Sequence, residues 1–154
     1  MLVRGRKILM AKTNRFNGGF KGPFSNFFKA ECEYEGLTYR NSEAAFQAVK
    51  TLDNEERKKF QNLNPSEAKK LGRSIKLRPD WEAVKYQVML DVLRSKFQDA
   101  TLRNLLLATG DDVLIEDTTG WHDNEWGDCA CEGCRNTPGN NLLGKALMDI
   151  RATL

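Results

Sequence analysis

The stretch Asn41-Ser42-Glu43-Ala44-Ala45-Phe46-Gln47-Ala48-Val49-Lys50 predicts a helix with two unlike faces. At 3.6 residues per turn, small apolar side chains fall on one face and suit a protein core. They are Ala45, Ala48, Val49 and Leu52. The opposite face is polar and carries Glu43, Gln47 and Lys50 at positions i, i+4 and i+7, with Phe46 at its edge. Most such polar stripes are solvated, so this helix alone predicts an amphipathic surface helix.

The beginning of this helix has its own chemistry. The side-chain oxygen of either Asn41 or Ser42 can cap the helix by accepting from the free amides of its first turn. Glu43 lies in that first turn, where the helix dipole favours a carboxylate. We therefore expect an ionised Glu43, which suits charge stabilisation or base catalysis better than acid catalysis.

Length and composition are those of an ordinary globular protein. The chain has 154 residues, of which 40% are hydrophobic and 29% charged, and this predicts one domain with a real core. No apolar run approaches the ~20 residues that span a bilayer. The apolar run 8–11 is shorter than the about 7–15 residues of a signal-peptide core. The sequence therefore predicts a cytoplasmic protein without a membrane segment.

Charge is distributed unevenly along the chain. The region 57–78 holds eight basic residues and one acid, whereas 111–132 holds eight acids and no Lys or Arg. Basic residues at this density could bind phosphates or a nucleic-acid backbone. A solvated helix face explains them equally well.

Local patterns predict an α+β fold that is mainly helical, with several helices around a small β-hairpin or sheet. Short β-prone runs at 31–34 and 37–39 flank a glycine turn and predict the hairpin. Further helices are predicted at 54–61, 65–72, 80–97, 101–109 and 140–154, and a strand at 113–116. Asp80 is the predicted cap of the longest helix. One compact domain is expected at 13–154, preceded by a tail or edge strand at 1–12.

Two segments lack periodicity and are candidates for a binding site. The first, 17–28, combines glycine turns with four phenylalanines, and buried packing is favoured over a pocket wall. The second, 118–139, is a long loop of the kind that is usually functional or disordered, and its tryptophans argue against disorder. Within it, the stretch 121–128 holds three carboxylates, the only histidine and two tryptophans. Aromatic faces and carboxylates together suit a substrate made of a sugar and a base.

The cysteines suggest a metal or free thiols. Cys129, Cys131 and Cys134 have chelating spacing, and either His122 or Cys32 could be a fourth ligand. In a cytosolic protein, such clustering argues against a disulfide framework. Structural zinc and free thiols both remain open.

Six motifs in order give the chain a resemblance to the NADAR family of N-glycosidases, over residues 15–151. They are Phe24-Ser25-Asn26-Phe27; Tyr39-x-x-Ser42-Glu43-x-x-Phe46-Gln47-x-x-Lys50; Leu71-Gly72-Arg73; Trp81-Glu82-x-Val84-Lys85; Asp123-x-x-Trp126-Gly127; and Gly139-x-Asn141-x-Leu143-Gly144-Lys145 with Met148 and Arg151. Each motif is weak alone, but their order is specific. The resemblance implies a compact helix-rich domain with a small β component.

The resemblance also implies cleavage of an N-glycosidic bond at C1 of a ribose. Two substrate classes are associated with the family: phosphorylated pyrimidine intermediates of riboflavin synthesis, and ADP-ribose attached to guanine of nucleic acid. The implied functional triad is Glu43, Trp81 and Asp123. No cofactor is implied for catalysis, and because members without the Cys129–Cys134 insert exist, the chemistry does not require it.

We expect Glu43 to stabilise the oxocarbenium ion or activate water, Asp123 to orient hydroxyls or water, and Trp81 to stack on base or sugar. Alternatively, Lys50 forms a Schiff base with a ring-opened ribose, with Lys21 and Lys145 as rival nucleophiles, or simply pairs with Glu43. The amides of 139–144 are a candidate anion site. Substrate-binding roles are predicted for Arg15, Phe24, Ser25, Asn26, Phe27, Gln47, Arg73, Trp126, Gly127, Asn141 and Lys145.

Two other classes of function compete with an N-glycosidase. One is a non-catalytic module that binds ADP-ribose or NAD, which the two carboxylates Glu43 and Asp123 argue against. The other is a small zinc protein that binds nucleic acid through its basic stretch, with salt-sensitive affinity. That interpretation assigns no role to Glu43 and Trp81. No sequence feature predicts an oligomeric state.

Overall fold

A computed structural model describes residues 11–19 and 22–154 of the chain. Four strands and six helices follow one another in this part of the protein, and the predicted α+β class is confirmed. The elements are β1 Thr13–Asn17, β2 Lys29–Tyr34, β3 Leu37–Asn41, α1 Ser42–Ala48, α2 Asn54–Lys58, α3 Pro65–Gly72, α4 Trp81–Lys96, α5 Ala100–Leu107, β4 Val113–Asp117 and α6 Leu142–Arg151. The tail or edge strand predicted for 1–12 falls, apart from residues 11 and 12, outside the described residues.

Helix α1 is buried on all sides. Asn41 caps it, since its Oδ1 accepts from the backbone N–H of Ala44 at 2.7 Å. All seven residues of the helix are buried, including Glu43 and Gln47 on the face predicted to be polar and solvated. The solvent exposure that this helix alone predicted is therefore not found: α3 packs against the helix, and its polar side chains line a cavity. Leu52, predicted to belong to the apolar face, is 62% exposed beyond the end of the helix.

Helix α4 is the centre of the core. It packs against α1, α6 and β2, and burial on more than one side matches the two apolar stripes in its sequence. Its beginning differs from the prediction. The side chain of Asp80 makes no capping bond, because both of its oxygens accept from the guanidinium of Arg78.

The strands form two separate two-stranded sheets. The predicted hairpin is confirmed as the antiparallel pair β2 and β3. Strands β1 and β4 pair in parallel, with Phe16 in register with Glu116, although they are far apart in the sequence. This second sheet brings the end of β4, and the long segment that follows it, beside α1. Among the described residues, no helix is long and apolar enough to cross a membrane.

Candidate active site

A cavity of about 500 Å³ opens beside α1. Its walls come from α1, α3, α4, the end of β4, and loop residues 18–19, 26–27 and 121–126. It combines acids, two lysines and aromatic rings. The acids are Glu43, Glu116, Asp123 and Glu125; the lysines are Lys50 and Lys69; the aromatic side chains are Phe27, Phe46, Trp121 and Trp126. The volume lies within the range of about 300–1,000 Å³ that is usual for small-molecule sites.

Glu43 is the most enclosed carboxyl group of the cavity, with 7% of its surface exposed. Its Oε1 accepts a hydrogen bond of 2.9 Å from Nε2 of Gln47, one helical turn later. Burial raises the pKa of Glu43 above its usual value, while the bond from Gln47 and the charges of Lys69 and Lys50 act in the opposite direction. The pKa of Glu43 is thus raised even though the residue lies in the first turn of α1, and its ionisation at neutral pH stays a prediction.

Glu116 is a second cavity carboxyl group, which sequence reasoning did not assign to the site. It is the fourth residue of β4, and its backbone N–H donates to Oδ1 of Asn141 at 3.0 Å. Burial, followed by the charges of Asp123 and Glu43, raises the pKa of Glu116 to about 8. A carboxyl group with this pKa is largely protonated at neutral pH. The one sequence signal was an acid at the end of a predicted strand, which is weak.

Asp123 is held in a tight turn at the wall of the cavity. Its Oδ1 accepts from the backbone N–H groups of Glu125 and Trp126, both at 2.9 Å. Its backbone carbonyl accepts from Oγ1 of Thr118 at 2.7 Å. These bonds fix the backbone and one carboxylate oxygen. Within the described residues, Oδ2 has no hydrogen-bond partner and is available to a ligand.

The cavity contains two lysines, only one of which was singled out from the sequence. Burial lowers the pKa of Lys50, whose Nζ lies 5.9 Å from the centre of the Trp81 ring. No ion pair joins it to Glu43 in the described part of the chain. Lys69 of α3 is the second, with Nζ 5.6 Å from the centre of the Phe27 ring. Arg73, predicted in its place, is exposed and does not line the cavity; Lys21 lies outside the described residues.

Aromatic rings form one wall in two layers. The Phe46 ring lies between Trp81 and Trp126, with both centroid distances 5.0 Å. Phe46 and Trp126 line the cavity, whereas Trp81 is buried behind Phe46. Trp81 thus supports the ring that faces the cavity, and its direct stacking on a ligand stays a prediction. Trp121, 48% exposed, lies at the rim.

The Phe24–Phe27 motif is divided between core and cavity. Phe24 packs edge-on against Phe16 in the core, at 5.9 Å between ring centres. Ser25 is fully buried, and its Oγ donates to the carbonyl of Gly18 at 2.7 Å. Asn26 and Phe27 line the cavity. Only the second half of the motif is therefore placed to contact a ligand.

The turn before α6 is structural, which corrects the predicted anion site. The amides of residues 140–143 donate to the carbonyls of Asn124, Gly127, Glu125 and Trp126 in turn, so they are not free for an anion. Asn141 donates from Nδ2 to the carbonyl of Leu114 at 2.8 Å, and its Oδ1 accepts from the backbone N–H of Glu116, so its amide ties the turn to β4.

Three further predicted substrate-binding residues lie outside the cavity lining. A Cβ on Gly127 would lie 2.3 Å from Cγ2 of Thr118, so glycine is needed there for packing. Arg15 forms ion pairs with Asp117 at 3.1 Å and Asp128 at 2.8 Å, close to the end of β4. Lys145 is exposed on α6. These positions give Gly127 and Arg15 structural contacts and place Lys145 away from the cavity lining.

His122 and three cysteines lie together next to the cavity in an arrangement that could hold a metal ion. Nδ1 of His122 lies 3.3 Å from Sγ of Cys129, 3.5 Å from that of Cys131 and 3.6 Å from that of Cys134. A hydrogen bond from the backbone N–H of Cys131 is the largest influence that lowers the pKa of Cys129, to about 6. Cys32 is buried in β2, where burial raises its pKa to about 12, and does not belong to the cluster.

Fold and cavity define a small α+β protein with an enzyme-like site of carboxyl, lysine and aromatic side chains. The chain belongs to the NADAR domain family, whose model matches residues 15–154, and the predicted family is thereby confirmed. It is 43% identical over 137 residues to N-glycosidase YbiA of Shigella flexneri serotype 5b (strain 8401), covering 86% of this chain and 81% of that protein.

Two further proteins are similar to this chain, one over part of its length and one over nearly all of it. Riboflavin biosynthesis protein PYRR, chloroplastic, of Zea mays is 36% identical over 98 residues, which are 59% of this chain and 15% of the maize protein. The NMR structure of the E. coli protein YbiA matches with a TM-score of 0.75 at 38% identity, over 99% of this chain and 92% of that chain. The similarity therefore extends through the whole described domain.

Proposed function

We propose that the cavity binds the ribose of a phosphorylated N-glycoside, and that its carboxyl groups catalyse hydrolysis of the bond between C1 and the base. With N-glycosidases among its relatives across most of its length, the chain is a hydrolase that acts on N-glycosidic bonds. The proposal is based on one observation: Glu43, Glu116 and Asp123 all line one cavity, which also has aromatic side chains in its wall.

Breaking a C1–N bond requires groups in different protonation states. Positive charge grows at C1 and the ring oxygen, and negative charge grows on the departing base. Glu116, protonated at neutral pH, is assigned as the proton donor to the base. Asp123 stabilises the positive charge or orients the ribose through its free Oδ2. Glu43 is assigned as the base that activates water, since a raised pKa makes its ionised form a stronger base.

Lys50 supports a second, covalent route. Its pKa is lowered by burial, which increases the neutral amine needed to attack C1 of a ring-opened ribose. The attack would release the base and form a Schiff base that water then hydrolyses. Borohydride added during turnover would trap this adduct, and mass spectrometry would locate it on Lys50. Turnover without an adduct, under conditions where substrate is consumed, rejects the covalent route.

The cations of the cavity favour a small phosphorylated substrate, such as a pyrimidine intermediate of riboflavin synthesis. Of the eight basic residues between 57 and 78, all within the described chain, Lys69 alone lines the cavity. With Lys50 it provides charge for one phosphate group. A relative that carries riboflavin biosynthesis in its name is consistent with this choice.

ADP-ribosylated guanine of nucleic acid is the second candidate. Lys70, Arg73 and Lys76 of the same basic region are exposed, and none of them forms an ion pair among the described residues. They could contact a nucleic-acid backbone outside the cavity. Base release measured on both substrates, with the same enzyme preparation, decides between them.

The Glu43→Gln variant tests the catalytic proposal. We expect turnover to fall about 10²–10⁴-fold, the usual effect of removing a positioned acid or base, while the circular dichroism spectrum stays the same. Glu31→Gln, at an exposed glutamate of β2, is the matched control and should retain full turnover. Wild-type turnover in Glu43→Gln would contradict the assignment. Substrate binding without base release by the wild-type protein would support a non-catalytic ADP-ribose reader.

No cofactor takes part in the proposed reaction. None of the cluster residues His122, Cys129, Cys131 and Cys134 lines the cavity. A metal with four protein ligands also keeps no open position for water or substrate. We therefore assign a structural role to any metal in this cluster, and a cytoplasmic location remains a prediction.

A further inference from the structure

We propose that His122, Cys129, Cys131 and Cys134 bind one zinc ion tetrahedrally, through Nδ1 and three Sγ atoms, and that this ion holds the segment 118–139 in place beside the cavity. The site goes beyond the proposed hydrolysis, and neither depends on the other.

The distances match a tetrahedral zinc site. With Zn–S bonds of about 2.3 Å and a Zn–N bond of 2.0–2.1 Å, the nitrogen and each sulfur of a tetrahedral site lie about 3.5 Å apart. Nδ1 of His122 lies 3.3, 3.5 and 3.6 Å from the three sulfurs. The four ligand atoms all lie within 4.8 Å of one another. Each distance from Nδ1 to a sulfur is thus within a few tenths of an ångström of the nitrogen–sulfur distance expected in a tetrahedral zinc site.

Hydrogen bonding alone does not explain this arrangement. A neutral imidazole nitrogen makes either one donor or one acceptor interaction, so Nδ1 cannot form three good hydrogen bonds at once. Three thiols and one imidazole form the Cys₃His ligand set of structural zinc sites, and soft thiolates with tetrahedral geometry favour zinc over magnesium or calcium. All three cysteines are free of disulfides. A single ion at the centre would satisfy all four ligand atoms.

The segment needs such a link, because it has little core of its own. It contains no helix or strand, and Cys129 is the one buried apolar side chain between residues 118 and 139, a stretch that the structure describes completely. His122 has a positive φ of 58°, which is uncommon for a residue other than glycine. Small domains and loops with little buried surface are often stabilised by a metal instead.

The cluster is tied directly to the cavity wall. His122 immediately precedes Asp123, and its backbone N–H donates to the carbonyl of Thr118 at 3.0 Å. Thr118 in turn holds the carbonyl of Asp123 through Oγ1. On the other side, the backbone N–H of Cys129 donates to Oδ1 of Asn124 at 2.9 Å. A metal that fixes His122 and Cys129 therefore fixes both ends of the turn that presents Asp123.

Metal analysis of the full-length protein, purified with a reductant and without added metal, tests the site. We expect about one zinc per chain by inductively coupled plasma mass spectrometry. Cys131→Ser and Cys134→Ser should each lose most of this zinc. Cys32→Ser, at the cysteine outside the cluster, should retain it. Zinc that persists in both cluster variants, or is absent from the wild-type protein and not taken up on reconstitution, overturns the proposal.

A second measurement does not depend on variants that fold. The wild-type protein is stripped with a chelator, and Co²⁺ is added stepwise. Binding at three thiolates and an imidazole should give the strong visible bands of tetrahedral cobalt, saturating at one equivalent and reversed by zinc. Hydrogen exchange should then slow in 118–139 and change little in α4. Weak octahedral spectra, or protection that does not respond to metal, would reject the site.

Discussion

Gln47 donates from Nε2 to Oε1 of Glu43 at 2.9 Å, and among the described residues this is the sole side-chain hydrogen bond that Glu43 makes. Both side chains are buried, with 7% of Glu43 and 6% of Gln47 exposed. Gly72 lies against the amide: a Cβ there would be 2.0 Å from Oε1 of Gln47. The absence of a side chain at position 72 thus lets Gln47 reach Glu43, whose second oxygen remains available to water or substrate.

This bond leads to a prediction for Gln47→Leu. The donor lowers the pKa of Glu43 against the larger effect of burial, so its removal should raise that pKa further. If Glu43 acts in its ionised form, the acidic limb of the pH–rate profile should move to higher pH, and turnover at neutral pH should fall about tenfold or more. Steady-state kinetics as a function of pH measure both effects.

Gln61→Leu is the control for this variant. Gln61 also donates through its amide, to the carbonyl of Thr38 at 3.1 Å, but it does not line the cavity. Its loss should leave the pH–rate profile unchanged. An unshifted acidic limb in Gln47→Leu, with the substrate still bound, would show that the amide does not tune Glu43.

Local sequence predicted the parts of this fold that depend on neighbours in the chain. The helix at 41–50, the hairpin and the long helix α4 follow from periodicity, glycine turns and caps, which act over a few residues. The pairing of β1 with β4 was not predicted, because no periodicity in a single sequence reports contacts between distant strands. For the same reason, the periodicity of α1 alone predicted a solvated polar face, and only the motif order made Glu43 a site residue.

The residues of the candidate site could likewise be identified from the sequence only where their position does not depend on tertiary packing. Glu43 and Asp123 were found through motif order, and both line the cavity. Glu116 was missed because its position depends on that distant strand pairing. Lys69 and Arg73 lie one turn apart near the end of α3, and the sequence offered no way to tell which one faces the cavity. That choice depends on how α3 packs against α1.

Glu116→Gln tests whether this residue is the proton donor. A donor must be protonated, so wild-type activity should decline as pH rises through about 8. The variant cannot supply a proton; it should lose about 10²–10⁴-fold in turnover and also the basic limb of the profile. Substrates whose base is a better leaving group provide a check. Their turnover should fall less in the variant, because their departing base needs less help from a proton donor. Equal losses for good and poor leaving bases would argue for a different role.

The raised pKa of Glu116 also leads to a prediction of how the free energy of unfolding depends on pH. Its pKa is about 8 in the folded protein against an ordinary value of 4.5, so between these values the folded state binds more protons than the unfolded state. The free energy of unfolding should therefore decrease as pH rises from about 4.5 to about 8, by up to a few kcal/mol. Urea unfolding across this range should show a shallower decline in Glu116→Gln than in Glu31→Gln. Parallel curves would contradict the raised pKa of Glu116 in the folded protein.

Lys96 should change the free energy of unfolding with pH in the opposite direction to Glu116. It is 1% exposed, its Nζ donates to the carbonyl of Ser25 at 2.8 Å, and burial lowers its pKa from 10.5 to about 7. Between those values the unfolded state binds more protons than the folded state, so this residue makes stability rise with pH from about 7 to about 10.5.

The Lys96→Met variant removes this titration while it keeps an unbranched side chain of similar length. The Ser25 carbonyl still accepts from the backbone N–H of Phe28 at 3.2 Å, so it is not left without a partner. We expect the variant to be more stable than the wild type by on the order of 1–3 kcal/mol below pH 7, where the wild type must bury a charged ammonium. The pH-dependent part of the difference should vanish above about pH 10.5, where Lys96 is neutral in both states. Urea unfolding at several pH values measures it, and a stability difference independent of pH would show that Lys96 does not titrate in the folded protein.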